Sequence, residues 1–158
     1  MIDIYTDGAC RGNQHAFNMG GWGYVITDKV SGRSRHCWGH EQNTTNNRME
    51  MTATIKALHA IRNRPKSDVT VYSDSNLIIK GMTEWLSGWK AKGWRNASKK
   101  PVENKDLWLQ LDELSALHNV TWQHVKGHNG NKGNEIADQL ANRGADGHKG
   151  KQDFDTGE

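Results

Sequence analysis

Long apolar runs are missing from this 158-residue chain, and no stretch approaches the roughly 18 apolar residues that a membrane helix needs. The first residues also lack the basic start and apolar run of an export signal, so the expectation is a cytoplasmic protein with no membrane association. Cysteine is scarce. Cys10 and Cys37 are the only two, and they read as free thiols in a reducing compartment rather than a disulfide framework. Apolar residues make up only 34% of the chain, so burial must lean on a few large side chains, among them seven tryptophans. Neither an internal repeat nor an inter-domain linker is visible, and the length suits one domain.

Net charge is also small, +3, but it is unevenly spread. Between Lys80 and Lys105 seven basic residues face two acids, a local +5 that leaves −2 for the rest. Trp85, Trp89 and Trp94 are interleaved with those cations. A basic, tryptophan-bearing patch on a nearly neutral body points to a polyanionic partner, although a solvated surface would carry the same charges.

The periodicities predict an α/β domain with a five-stranded mixed sheet flanked by helices. Ile2–Gly8 alternates apolar and polar residues up to Asp7, where Asp-Gly equally suits a turn. Two more strands, Gly21–Thr27 and Ser34–Glu41, flank a Ser31-Gly32 hairpin turn. Met49, Ala53, Ala57 and Ile61 recur at helical spacing over Arg48–Asn63, with Asn47 as the expected cap and Glu50 in capping-box position. Val69–Ser73 and Val120–Val125 are the remaining strands, each following helices, which suits parallel crossovers. Helical residues follow Asn76 with interruptions at Gly81 and Gly88; Asn104–His118 and Asn134–Arg143 supply further helices. The domain is expected to span 1–143, and residues 144–158, glycine-bearing and poor in apolar residues, are expected to form a mobile tail.

Four acids stand out by position: Asp7 and Asp74 at strand ends, Glu50 and Asp138 one turn into helices. Each has a plainer explanation as a turn residue, a helix cap or an acid favoured near a helix N-terminus. Jointly they fit one sheet edge, where strand ends and helix starts converge and ligands bind. Carboxylates gathered there would repel unless divalent cations neutralised them, and a shell of hard oxygens favours Mg²⁺ or Mn²⁺. Two such ions about 3.5–4 Å apart suit phosphodiester cleavage.

These residues lie in segments that resemble type 1 ribonuclease H: Ile4 to Cys10 with Gly12-Asn13, Thr44 to Glu50, Ser73-Asp74-Ser75, Trp85 to Trp94, Lys99 to Val102, Val125 to His128, and Gly133 to Glu135 with Asp138. The resemblance runs in order from Ile2 to about Arg143. It implies a ribonuclease H-like fold with a basic protrusion, or handle. The implied activity is endonucleolytic hydrolysis of the RNA strand of RNA/DNA hybrids by a monomer, leaving 5′-phosphate and 3′-hydroxyl ends. It also implies two Mg²⁺ ions, with Mn²⁺ as a possible substitute, held by Asp7, Glu50, Asp74 and Asp138. His128 matches a residue that assists proton movement or product departure. Asn46, Asn47 and Asn76 match minor-groove contacts to the 2′-hydroxyl, a group that donates and accepts hydrogen bonds. Thr45 and Asn13 match a DNA-phosphate pocket, Trp85 and Asn104 a channel for DNA sugars, and Lys90, Lys92, Lys99 and Lys100 the handle. Asn134 faces the scissile phosphate or supports Asp138 in this correspondence; otherwise it caps the last helix. Gln14 to Met19 depart from the family's proline- and glycine-rich loop, which leaves the path there and the role of Asn13 less determined. Two other classes remain open at this level: a non-catalytic hybrid-binding module, and a nuclease of the same fold acting on DNA junctions or ends.

Overall fold

The computed structural model describes residues 1–12, 18–126 and 131–155, so Asn13 and His128, both singled out above, lie outside the described residues. The elements run β1 (Ile2–Gly12), β2 (Asn18–Asp28), β3 (Arg33–Gln42), α1 (Asn46–Ala60), β4 (Asp68–Ser73), α2 (Asn76–Lys80), a π-helical turn (Gly81–Trp85), α3 (Leu86–Ala91), α4 (Lys105–Ser115), β5 (Asn119–His124), α5 (Lys132–Ala145) and β6 (Gly150–Asp155). The sheet order is β5-β4-β1-β2-β3-β6. β1, β4 and β5 are parallel, while β2, β3 and β6 join antiparallel in turn.

β1 does not stop at Gly8. It continues to Gly12 in register with β2, Gly8 opposite Trp22 and Gly12 opposite Asn18. Gly8 serves close approach rather than a turn, because a Cβ there would collide with the backbone of Met49 and Glu50 in α1. Alternation then separates the two helical layers. A Cβ on Gly20 would strike Thr44 and Met49 beside α1, whereas one on Gly21, facing the other way, would strike Ala141 and Ala145 of α5. α1 thus covers one face of the sheet and α5 the other.

The main apolar cluster lies on the α1 side, where Ile2, Ile4 and Ile26 of the sheet meet Met51, Ile55 and Leu58 of α1. Leu107, Trp108 and Leu111 of α4 close it. Residues 76–91 run on through both expected interruptions. Gly81 is required because a Cβ there would enter the Trp108 ring, and the chain widens to a π turn at that point. His118 is buried beneath the far end of α1; its Nδ1 accepts from the Ser67 N–H at 3.1 Å, so its Nε2 donates to the Ile61 carbonyl at 2.9 Å.

Three expectations are corrected. α1 begins at Asn46 and is capped by Thr45, not Asn47: the Thr45 side chain, on extended backbone, accepts from the Arg48 N–H at 3.1 Å. Glu50 is therefore not a capping-box residue. α5 starts two residues earlier than expected and is capped by Asn131, which accepts from the Asn134 N–H at 3.0 Å. The sheet has six strands, and the sixth comes from the residues expected to be a mobile tail. β6 pairs with the edge of β3, Arg33 opposite Asp155 and Trp38 opposite Gly150. Arg35 grips Asp153 through two hydrogen bonds at 2.6 and 3.2 Å, and Phe154 packs its ring 4.5 Å from His36. An edge strand is held by its backbone ladder, so it needs little of the apolar patterning that would betray it in the sequence.

Deleting residues 149–158 should lower Tm by about 4–8 °C, the response to about 2 kcal/mol in a domain of this size. Thermal melts of the full and shortened chains test this; identical Tm values would mean that β6 contributes no stability.

Candidate active site

Asp7 leaves β1 on the face opposite Thr6, whose hydroxyl lies 3.3 Å from that of Thr54 in α1. Its carboxylate accepts the Gly8 N–H at 2.8 Å and is only 5% exposed. Carboxylate oxygens of Asp7, Glu50 and Asp74 lie within 4.8 Å of one another. Asp138, from α5 on the other layer, lines the same cleft as these three acids. All four acids singled out from the sequence therefore meet at one end of β1 and β4.

The electrostatics follow from that crowding. Burial above all, with the charge of Asp74 adding, pushes the Asp7 carboxyl from its ordinary 3.8 up to about 7. A hydrogen bond from Glu50 and another from Gly8 act in the opposite direction. Glu50 is raised well above its usual range by burial and then by the charge of Asp7. One of its oxygens, Oε2, is buried without a hydrogen-bond partner among the described residues.

The acids open into a cleft of ≈ 570 Å³ lined also by Asn46, Asn47, Asn76 and Asn142. Asn46 and Asn47 are in the first turn of α1 and Asn76 opens α2, so capping by Thr45 and Ser75 leaves their amides clear of the helix ends. A second cleft, bounded by Trp85, Trp89, Asn96, Asn104 and Trp108, adjoins the first, since Asn47 and Leu77 line both. The tryptophans form a tilted stack, Trp89 lying 5.8, 6.3 and 5.1 Å from Trp85, Trp94 and Trp108. Lys92, Lys99 and Lys100 are exposed around it. Lys90 is not free in the same way, because its ammonium pairs with Asp112 of α4 at 3.1 Å. Asn134 is buried, one turn before Asp138 on α5.

Asn18 is a contributor that the sequence reading missed. Its side-chain amide donates to the Thr44 carbonyl at 2.9 Å and accepts the Thr44 N–H at 2.8 Å. This two-point clamp, with the Cys10 thiol also on the Thr44 carbonyl, fixes the turn that delivers Thr45 to the start of α1. Nothing in local sequence marks it, because its partner lies 26 residues away.

The sheet order and the four converging carboxylates define the ribonuclease H-like class of α/β domain. The RNase H family profile matches residues 1–146. A ribonuclease H of Cupriavidus necator is 55% identical over 146 residues, 92% of this chain and 95% of that one. LC9-RNase H1, crystallised as a type 1 RNase H with the type 2 active-site motif, superposes with a TM-score of 0.84 at 34% identity, covering 99% of this chain and 77% of that one. LC11-RNase H1, crystallised in complex with an RNA/DNA hybrid, gives 0.68 at 27% identity over 93% and 98%. The chain belongs to the ribonuclease H family, among its type 1 enzymes.

The raised Asp7 carboxyl has a consequence for stability. Between pH 3.8 and about 7 the folded chain keeps a proton that the unfolded chain gives up. Stability therefore falls as pH rises through that window and stays lower above it. In chelator at pH 8, Asp7→Asn should raise Tm by about 2–4 °C, the response to about 1 kcal/mol, and the gain should vanish near pH 4. Differential scanning fluorimetry across pH tests this; an equal or lower Tm at pH 8 would contradict it.

Proposed function

We propose that this chain is an endonuclease that hydrolyses the RNA strand of RNA/DNA hybrids with two divalent cations, Mg²⁺ or Mn²⁺, leaving 5′-phosphate and 3′-hydroxyl ends. The observation that carries this reading is the gathering of Asp7, Glu50, Asp74 and Asp138 beside a cleft lined by asparagine amides. The family membership and the hybrid complex of LC11-RNase H1 support the choice of substrate. Carboxylates so crowded, with a Glu50 oxygen left unpartnered, fit hard cations, and the all-oxygen donor set matches Mg²⁺ or Mn²⁺. Asp7, Glu50, Asp74 and Asp138 would hold the ions. When bound, such ions supply an activated water and charge stabilisation at the leaving oxygen.

The chain's own groups do the selecting and orienting. Asn46, Asn47 and Asn76 present amides that both donate and accept, as recognition of a ribose 2′-hydroxyl requires. Trp85 offers an aromatic surface to the DNA sugars, with Asn104 in the same cleft. Thr45, with Asn13 by family correspondence, holds a DNA phosphate. His128 assists proton movement or product departure, and Asn134 supports Asp138 on α5. The reading includes a monomer working in the cytoplasm, and both cysteines are free thiols.

Labelled RNA/DNA, RNA/RNA and DNA/DNA duplexes, each with and without Mg²⁺, test the proposal. Only the RNA strand of the hybrid should be cut, and only with the metal; cleavage of the all-DNA or all-RNA duplex at a similar rate would overturn it. Asp7→Asn should stay folded and lose cleavage, whereas His128→Ala should slow turnover without abolishing it. Changing Lys92, Lys99 and Lys100 to alanine should flatten the slope of log affinity against log salt by up to about 2–3 units. KM should rise in that variant with kcat nearly unchanged, as for lost uniform binding. An unchanged salt slope would remove the handle from the interface.

A further inference from the structure

Arg48 lies in the first turn of α1, two residues before Glu50, and reaches across to the start of α4. Its Nη1 donates to Asn104 Oδ1 at 3.1 Å and to Asp106 Oδ1 at 3.1 Å, while Nη2 donates to Asp106 Oδ2 at 2.8 Å. Asn104 holds left-handed backbone, φ 60° and ψ 30°, which an asparagine tolerates better than most residues. Its carbonyl accepts the first amides of α4, from Leu107 and Trp108. A guanidinium has donors only, so the Asn104 atom that it meets must be the amide oxygen. The amide NH₂ is then the half left to the cleft that Asn104 shares with Trp85 and Asn47.

We propose that Arg48 is a positioning residue for substrate binding: by holding Asn104 Oδ1 it turns the Asn104 NH₂ into the cleft, where it donates to a phosphate or sugar oxygen of the duplex. The inference rests on the hybrid-cleaving reading above. Asp106 is the anchor of this arrangement. It takes both arms of the guanidinium, so the fork cannot swing away, and a Lys in place of Arg48, with a single nitrogen, could not keep that two-point grip on Asp106 while holding Asn104. The same bridge ties the helix that carries Glu50 to the helix that follows the handle, so the two clefts keep a fixed spacing.

The test is a double-mutant cycle on the full chain with Arg48→Lys and Asn104→Ala, measuring kcat and KM on RNA/DNA hybrid with Mg²⁺ and Kd for hybrid in Ca²⁺. Arg48→Lys alone should raise KM and Kd about tenfold to a hundredfold, the scale of one hydrogen bond to a charged group, with kcat within about twofold. In the Asn104→Ala background it should add nothing further to either constant. Independent, multiplicative effects, or a fall confined to kcat, would overturn the proposal while leaving the hybrid-cleaving reading intact. A wild-type chain that neither cleaves nor binds hybrid would overturn both. Should Arg48→Lys fail to fold, Asn104→Asp serves in its place. It keeps an acceptor for Arg48 and tolerates the same backbone, but it turns an oxygen toward the duplex. KM should rise at least tenfold with Tm unchanged, and wild-type KM would overturn the role.

Discussion

The desolvation and mutual repulsion of crowded carboxylates form the constraint around which this chain is built. Asp7 is nearly inaccessible, and Glu50 and Asp74 bring oxygens within 4.8 Å of one another and of it. Left to itself such a cluster would disperse, so the fold must hold it from several sides. It does so by pressing two helices onto opposite faces of one sheet. Gly8 and Gly20 admit α1, and Gly21 and Gly23 admit α5, each contact being too close for a side chain. Glu50 and Asp138 are carried to the same strand end by those two helices. The backbone approach and the acid cluster are therefore one device.

The entry to α1 carries the second layer of control. Thr44 is held by the Asn18 amide and the Cys10 thiol, and Thr45 then caps the helix. With the helix end satisfied by threonine, the next two side chains, Asn46 and Asn47, are released into the cleft beside the acids. One turn of backbone thus links the asparagine-lined cleft to the acid cluster, Arg48 joining it to α4 and Glu50 to the acids. The tryptophan stack joins the handle to the main core, Trp89 meeting Trp85, Trp94 and the core residue Trp108, with Trp85 on its rim 38% exposed.

Much of this was determined by the sequence alone. The 2-residue alternation of β1 and the 3.6-residue spacing of α1 depend on near neighbours, so they were legible, as was the placing of Asp7, Glu50, Asp74 and Asp138 near element ends. The tertiary structure decided what depends on partners far along the chain. Gly8 resembles a turn until Glu50 is seen to lean on it, and Asn47 resembles a cap until Thr45 takes the Arg48 N–H. Lys90 counts as a free handle cation until Asp112 pairs with it. β6 has almost no pattern of its own and exists because β3 offers an unpaired backbone edge. Local periodicity specifies which faces must be buried; which neighbour buries them, and which polar group each side chain meets, is settled only when distant segments are brought into contact.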